Sequence, residues 1–129
     1  MPEENLTVVR RAYEAFGRGD LLTIFELLAP EVVFYQTELL PWGGRREGHE
    51  GMRSFLEELA RNIESQVEPD EFIEAGERVV AMGHTRGRVR ATDETFEVRA
   101  VHVWTLRERK VVGFEAYIDT PKMREALGL

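Results

Sequence analysis

The chain of 129 residues contains no cysteine, which excludes a disulfide framework, a thiolate nucleophile and a cysteine-ligated zinc, and favours a reducing compartment. No run approaches the ~20 apolar residues that cross a bilayer, and the opening MPEENLTVVRR lacks the apolar stretch of a secretory leader. A cytoplasmic protein with no membrane partner is expected. Basic charge is also short: 17 Lys and Arg against 24 Asp and Glu leave a formal net charge of -7. Phosphate binding needs a basic face, so no nucleic-acid partner is expected. There is no phosphate-cradling glycine loop, dinucleotide fingerprint or Ser/His/Asp pattern, and His49-Glu50 lacks the second histidine of a zinc-protease motif. No cofactor and no metal site is expected.

What is present suits one globular domain over residues 1–129: 43% hydrophobic and 32% charged residues are ordinary proportions for a compact fold. Leu6, Val9, Tyr13 and Phe16 recur at helical spacing and predict a helix over 3–17, ended by Gly17 and Gly19. Asp20 is placed to cap a second, short helix through Leu28, stopped by Pro30. EVVFYQT (31–37) reads as a strand. The segment ELLPWGGRREG reads as an irregular loop whose Leu39, Leu40 and Trp42 are costly to leave in water, as in a lid or pocket rim. Met52, Phe55, Leu56, Leu59 and Ile63 predict a long third helix over 49–63. Four strands follow at 67–75, 78–91, 95–106 and 111–119, with connections short enough for an antiparallel meander. Thr120 as cap and Pro121 at the first helical position predict a tail helix through Leu127. The fold class is α+β.

Strand alternation gives a candidate site. In TFEVRAVHVWTL, the residues Phe96, Val98, Ala100, His102, Trp104 and Leu106 share one face, apolar except for His102. The same parity groups Val112, Phe114, Ala116 and Ile118, and, in the preceding strand, Val80, Met82, His84 and Arg86. Extending it across the sheet predicts that His84 and His102 both point toward the helices. The opposite face carries Val101, Val103, Val111 and Tyr117, more apolar surface than solvent requires, so a homodimer packed through the outer sheet face is expected; scattered exposed apolar residues are the simpler alternative.

A histidine on an apolar face can act as general acid or base, and burial keeps its ring neutral; the plain alternative is a core histidine bonded to a carbonyl or water. A second inward histidine, His84, strengthens the catalytic reading. Arg86 would orient a substrate carboxylate or enolate, or else is a solvated end-of-strand arginine among Arg88 and Arg90. Trp42 and Trp104 offer flat walls to a ring-shaped ligand, Met82 is an apolar contact, and Tyr13 and Gln36 offer neutral polar ones.

The element order, with VVRRAYEAFGRGD, LLAPEVVFYQ, GHEGMRSFLEEL and HVWTLRERKVVGFEAYID, resembles the NTF2-like superfamily and its SnoaL-like, polyketide-cyclase and ketosteroid-isomerase-related branch over nearly the whole chain. The resemblance implies an NTF2-like cone, a curved and mostly antiparallel sheet wrapped around the long helix and enclosing an apolar cavity. This fold hosts isomerases, dehydratases, cyclases and structural adaptors. Compared with ketosteroid isomerase, Gln36 falls where the carboxylate base stands, Ala12 where the tyrosine donor stands and His102 where the protonated aspartate stands, which speaks against steroid-type isomerisation. Scytalone dehydratase resembles the chain in its two cavity histidines. Glu115 and Asp119 lie nearest the carboxylate of the SnoaL-like cyclases, but on the outer parity.

The expected function is a cofactor-independent acid/base enzyme of isomerase, cyclase or lyase type, acting on a small apolar, cyclic or carbonyl-containing molecule. His102 and His84 are the expected catalytic residues, and Tyr13, Gln36, Trp42, Met82, Arg86 and Trp104 the binding residues. A non-catalytic small-molecule-binding module is one alternative. A structural dimer, its cavity closed by Phe16, Phe55, Met82 and Trp104, is the other.

Overall fold

The computed structural model describes residues 2–129. Two helices open it, α1 (Pro2–Gly17) and α2 (Leu21–Leu27). The apolar stripe of α1 buries Val9 and, beside it, Val8, Ala12 and Ala15. Asp20 caps α2 as expected, its carboxylate accepting from the Thr23 backbone N–H at 3.1 Å. The chain then turns directly into β1 (Leu28–Gln36), three residues earlier than expected. Pro30 is tolerated there because the pairing of β1 is interrupted between Leu28 and Val33, so its missing N–H breaks no regular ladder.

A short strand, β2 (Gly44–Glu47), lies inside the segment expected to be irregular and pairs antiparallel with Val33 to Gln36. Its Gly-Arg-Arg-Glu has no β-branched or aromatic residue; the partner strand makes it a strand. The helix α3 (Gly48–Asn62) follows, then β3 (Ile63–Ala75), β4 (Arg78–Val89), β5 (Thr95–Arg107), β6 (Lys110–Ile118) and α4 (Thr120–Leu127). The six strands form one sheet in the order β2-β1-β6-β5-β4-β3. β1 runs parallel to β6 and all other neighbours are antiparallel.

Three local expectations change. Helix α4 is capped by Asp119, which accepts from the Lys122 N–H, while the Thr120 hydroxyl bonds back to the Ile118 carbonyl. Val111 is fully buried and belongs to the core: Thr105 pairs with Gly113 but Leu106 with Val111, so a bulge at Val112 reverses the parity of β6 below it. Val112 takes the outer face in its place.

The third change affects the site. His102 pairs with Ala81, Trp104 with Val79 and Val98 with Thr85, so even residues of β5 meet odd residues of β4. Val79, Ala81 and Thr85 therefore face the helices, while Met82, His84 and Arg86 face away. Parity is kept across a hairpin only when an odd number of residues separates the paired positions, and six lie between Arg88 and Thr95.

Candidate functional site

Between the inner face of the sheet and α1, α2 and α3 lies a cavity of about 110 Å³. That is the order of the ~150 Å³ void that accepts a benzene ring. Aromatic and aliphatic side chains form most of its wall, with Phe16 from α1, Phe55 and Leu59 from α3, Phe34 and Phe114 from the sheet and Met123 from α4 among them. Tyr13, Gln36, Ser65, Thr85 and His102 supply its polar groups, with the indole nitrogens of Trp42 and Trp104; among the described residues no Asp, Glu, Lys or Arg lines it.

His102 is the centre of this polar set. It is 8% exposed, and burial lowers its pKa to about 4, so the ring is neutral at physiological pH. Its Nδ1 lies 2.6 Å from the Tyr13 hydroxyl oxygen, and that oxygen accepts from Trp104 Nε1 at 2.9 Å. The rings of Tyr13 and His102 stack with 9° between their planes, and Phe114 closes against the imidazole at 5.0 Å. Burial also pushes the Tyr13 phenol upward, so it stays protonated.

Gln36 lies on the same row of the sheet. Tyr35 pairs with Glu115 on β6, which sets Gln36 beside Ala116, and Ala116 pairs with His102 on β5. Gln36 is buried at 6% exposure, and its Oε1 accepts from Trp42 Nε1 at 3.0 Å. Trp42, at 1% exposure, plugs the loop over the cavity. Arg46 of β2 fastens that loop by donating to the Trp42 and Gly43 carbonyls at 3.2 and 3.3 Å and to the Ser54 hydroxyl at 2.6 Å. At Gly43 a Cβ would fall 1.8 Å from the Thr37 carbonyl oxygen, so this close approach requires glycine. Arg124 of α4 donates to the Leu39 carbonyl from the other side.

Of the residues expected at the site, Tyr13, Gln36, Trp42, His102 and Trp104 line one cavity. Met82, Arg86 and His84 do not. His84 lies on the outer face, its Nδ1 3.3 Å from Asp70, and Arg86 pairs with Glu68 at 3.0 Å. The expected convergence of two histidines is thus corrected by the register of β4 and β5. Met82 is likewise absent from the four-residue plug imagined for a filled core, while Phe16, Phe55 and Trp104 stand around open volume. Glu115 accepts from Tyr117, and Asp119 caps α4, so neither enters the cavity. The inward position of Thr85 follows from its pairing with Val98 on β5, and that of Ser65 from the pairing of β3 with β4, neither of which the pattern of a single strand shows. Among the described residues no three His, Asp or Glu side chains gather as metal ligands, and no helix is long and apolar enough to cross a membrane.

The SnoaL-like domain model matches residues 9–114. The chain belongs to the SnoaL-like family. An NTF2-like protein of unknown function from Burkholderia pseudomallei is similar at 34% identity, with 98% of each chain covered and a TM-score of 0.92. The structure of TerC co-crystallised with polyporic acid is similar at 28% identity, with 98% of this chain and 99% of that one covered and a TM-score of 0.89. A Xanthomonas campestris protein provisionally named a polyketide cyclase shares the fold at 21% identity, 97% coverage of both chains and a TM-score of 0.86. No curated protein matches the chain. The four helices and mixed, open six-stranded sheet of this SnoaL-like chain are thus the NTF2-like architecture.

Proposed function

We propose that this SnoaL-like chain is a cofactor-independent enzyme that takes a small, mostly apolar, carbonyl-containing molecule into the cavity and polarises its carbonyl through His102. The observation that carries the reading is a neutral, buried histidine tied at Nδ1 to Tyr13 in a cavity otherwise walled by apolar side chains. A neutral imidazole is a suitable electrophilic donor to a carbonyl oxygen, because its hydrogen bond strengthens as negative charge develops there. TerC, co-crystallised with a small molecule, supports ligand binding by this architecture.

Among the described residues no carboxylate lines the cavity, and Gln36 cannot accept a proton from carbon. The chemistry best served is one in which the substrate's own enolate attacks its carbonyl: the C–C bond forms as the carbonyl π bond breaks, the enolate oxygen becomes a ketone again, and His102 stabilises the new alkoxide until it takes one proton from solvent. Ring closure fits that description, and removal of a proton by a protein carboxylate does not. The same lack of a carboxylate favours a second reading, a binding module that holds the molecule unchanged.

The test is to purify the protein from its native host, extract what it retains, and return that compound to wild type and to His102→Ala. Conversion by wild type and its loss in the variant is the expected result. Full turnover by His102→Ala would overturn the catalytic role, and retention without conversion would select the binding module.

The outer face of the sheet carries Tyr35 and Tyr117, 40% and 47% exposed, with Val101 of β5 paired beside Tyr117 and Val103 of β5 beside Glu115. A second copy of the chain is the occupant we assign to it, since a twisted apolar sheet face is self-complementary under a two-fold axis.

A further inference from the structure

We infer that two tryptophans, Trp42 and Trp104, fix the hydrogen-bonding polarity of the cavity so that the Gln36–Ala116–His102 row presents donors only, and that the ligand is accordingly a small ring bearing two acceptor oxygens, as a cyclic dicarbonyl or its enolate does. The inference rests on the proposed function and specifies its ligand. An indole N–H donates and never accepts. Because Trp104 Nε1 points at the Tyr13 oxygen, that oxygen accepts there. The phenolic hydrogen has one remaining polar neighbour among the described residues, Nδ1 of His102 at 2.6 Å. Were Nδ1 to carry a hydrogen, the phenolic hydrogen would be left unbonded in an apolar wall, a loss of about 1–3 kcal/mol. Tyr13 therefore donates, Nδ1 accepts, and the hydrogen of the neutral ring resides on Nε2.

The same argument fixes Gln36. Trp42 Nε1 donates to it, so the atom it meets is the carbonyl oxygen and the amide cannot be flipped. The NH2 group has no protein partner among the described residues, as is true of His102 Nε2, and both side chains line the cavity. Gln36 Oε1 and His102 Nδ1 each already meet a protein donor, and the Gln36 NH2 and His102 Nε2–H that remain face the ligand. Gln36 and His102 stand two strands apart, about 10 Å between their Cα atoms at ordinary strand spacing. Ala116, the residue between them, leaves a trough rather than a barrier. A ring with oxygens on separate carbons bridges that trough, whereas a protonated amine, which has no lone pair to accept with, would leave two buried N–H groups unpaired.

The tautomer is read directly by long-range proton–nitrogen NMR of the imidazole in the intact protein at neutral pH, with no ligand added. A hydrogen on Nε2 alone is expected, and in Trp104→Phe, which keeps the bulk but removes the donor, a mixture of tautomers. A hydrogen on Nδ1 in wild type would overturn the inference and would also remove His102 as a donor to the carbonyl, leaving the binding module as the reading of the cavity. The probe pair is cyclohexane-1,3-dione and cyclohexylamine. The dione should bind at least tenfold more tightly and shift the Gln36 side-chain amide and His102 Nε2–H resonances, and that preference should shrink in Trp42→Phe. Equal binding of the amine would also overturn the inference. Binding of neither, with the Nε2 tautomer observed, would leave the polarity standing and overturn the ligand class together with the proposed function.

Discussion

Tyr13 and His102, 89 positions apart in the chain, meet at 2.6 Å between hydroxyl and Nδ1. This contact joins α1 to the centre of β5, and it makes Tyr13 part of the histidine's support rather than a free contact for substrate.

Replacing Tyr13 with Phe keeps the ring against Phe72, Trp104 and His102 but leaves Trp104 Nε1 and His102 Nδ1 without partners. Chemical denaturation should report a loss of about 1–3 kcal/mol. An unchanged midpoint would mean that water replaces the hydroxyl without cost.

Stability should depend on pH through His102. Its pKa is lowered from 6.5 to about 4 in the folded protein by burial. Between those values the unfolded chain binds a proton that the folded one does not, so stability rises with pH across this window. Above it the contribution is constant, and below about pH 4 the folded ring is protonated too and the loss levels off. The full difference is on the order of 3 kcal/mol. Comparing unfolding free energies of wild type and His102→Gln at pH 7 and pH 4.5 isolates the term, since the carboxylates titrate in both. Parallel pH profiles would contradict a neutral buried ring.

The bulge of β6 predicts opposite outcomes for adjacent residues. Val111 is at 0% exposure, so Val111→Ala should cost about 2 kcal/mol. Val112→Ala, on the outer face, should cost well under half of that. Equal losses in thermal denaturation would argue against the register shift between Thr105 and Leu106.

If a second copy covers the outer face, sedimentation should give twice the 14.9 kDa chain mass, and Val103→Glu should return the monomer with its folded spectrum intact. A monomeric wild type at micromolar concentration would remove the dimer from the account.

Residue pattern and resemblance made the elements legible, and along β5 they made the burial of single residues legible too. Phe96 through Leu106 alternate over enough positions for the pattern to be unambiguous. His84 was misplaced because alternation within one strand does not say which residue of the next strand lies opposite; the turn decides that, and Arg88 to Thr95 has an even count between its ends. The bulge at Val112 and the pairing of Gly44 to Glu47 are likewise properties of partner strands. His102, Gln36, Trp42 and Trp104 were visible as residues with chemistry out of keeping with an apolar surround. The Tyr13–His102 bond was not, because it depends on how α1 lies across the sheet. Alignment to a tyrosine donor pointed one residue away, at Ala12.

The proposed activity depends on a carbonyl oxygen seated on His102 inside this cavity. It is tested most directly by a crystal structure of the protein soaked with cyclohexanone, a single-ring ketone of suitable size. The ring is expected between Phe55 and Phe114, with its oxygen within ~3 Å of His102 Nε2. A ring bound elsewhere, or a cavity closed by its own side chains with Nε2 bonded to protein, would contradict it.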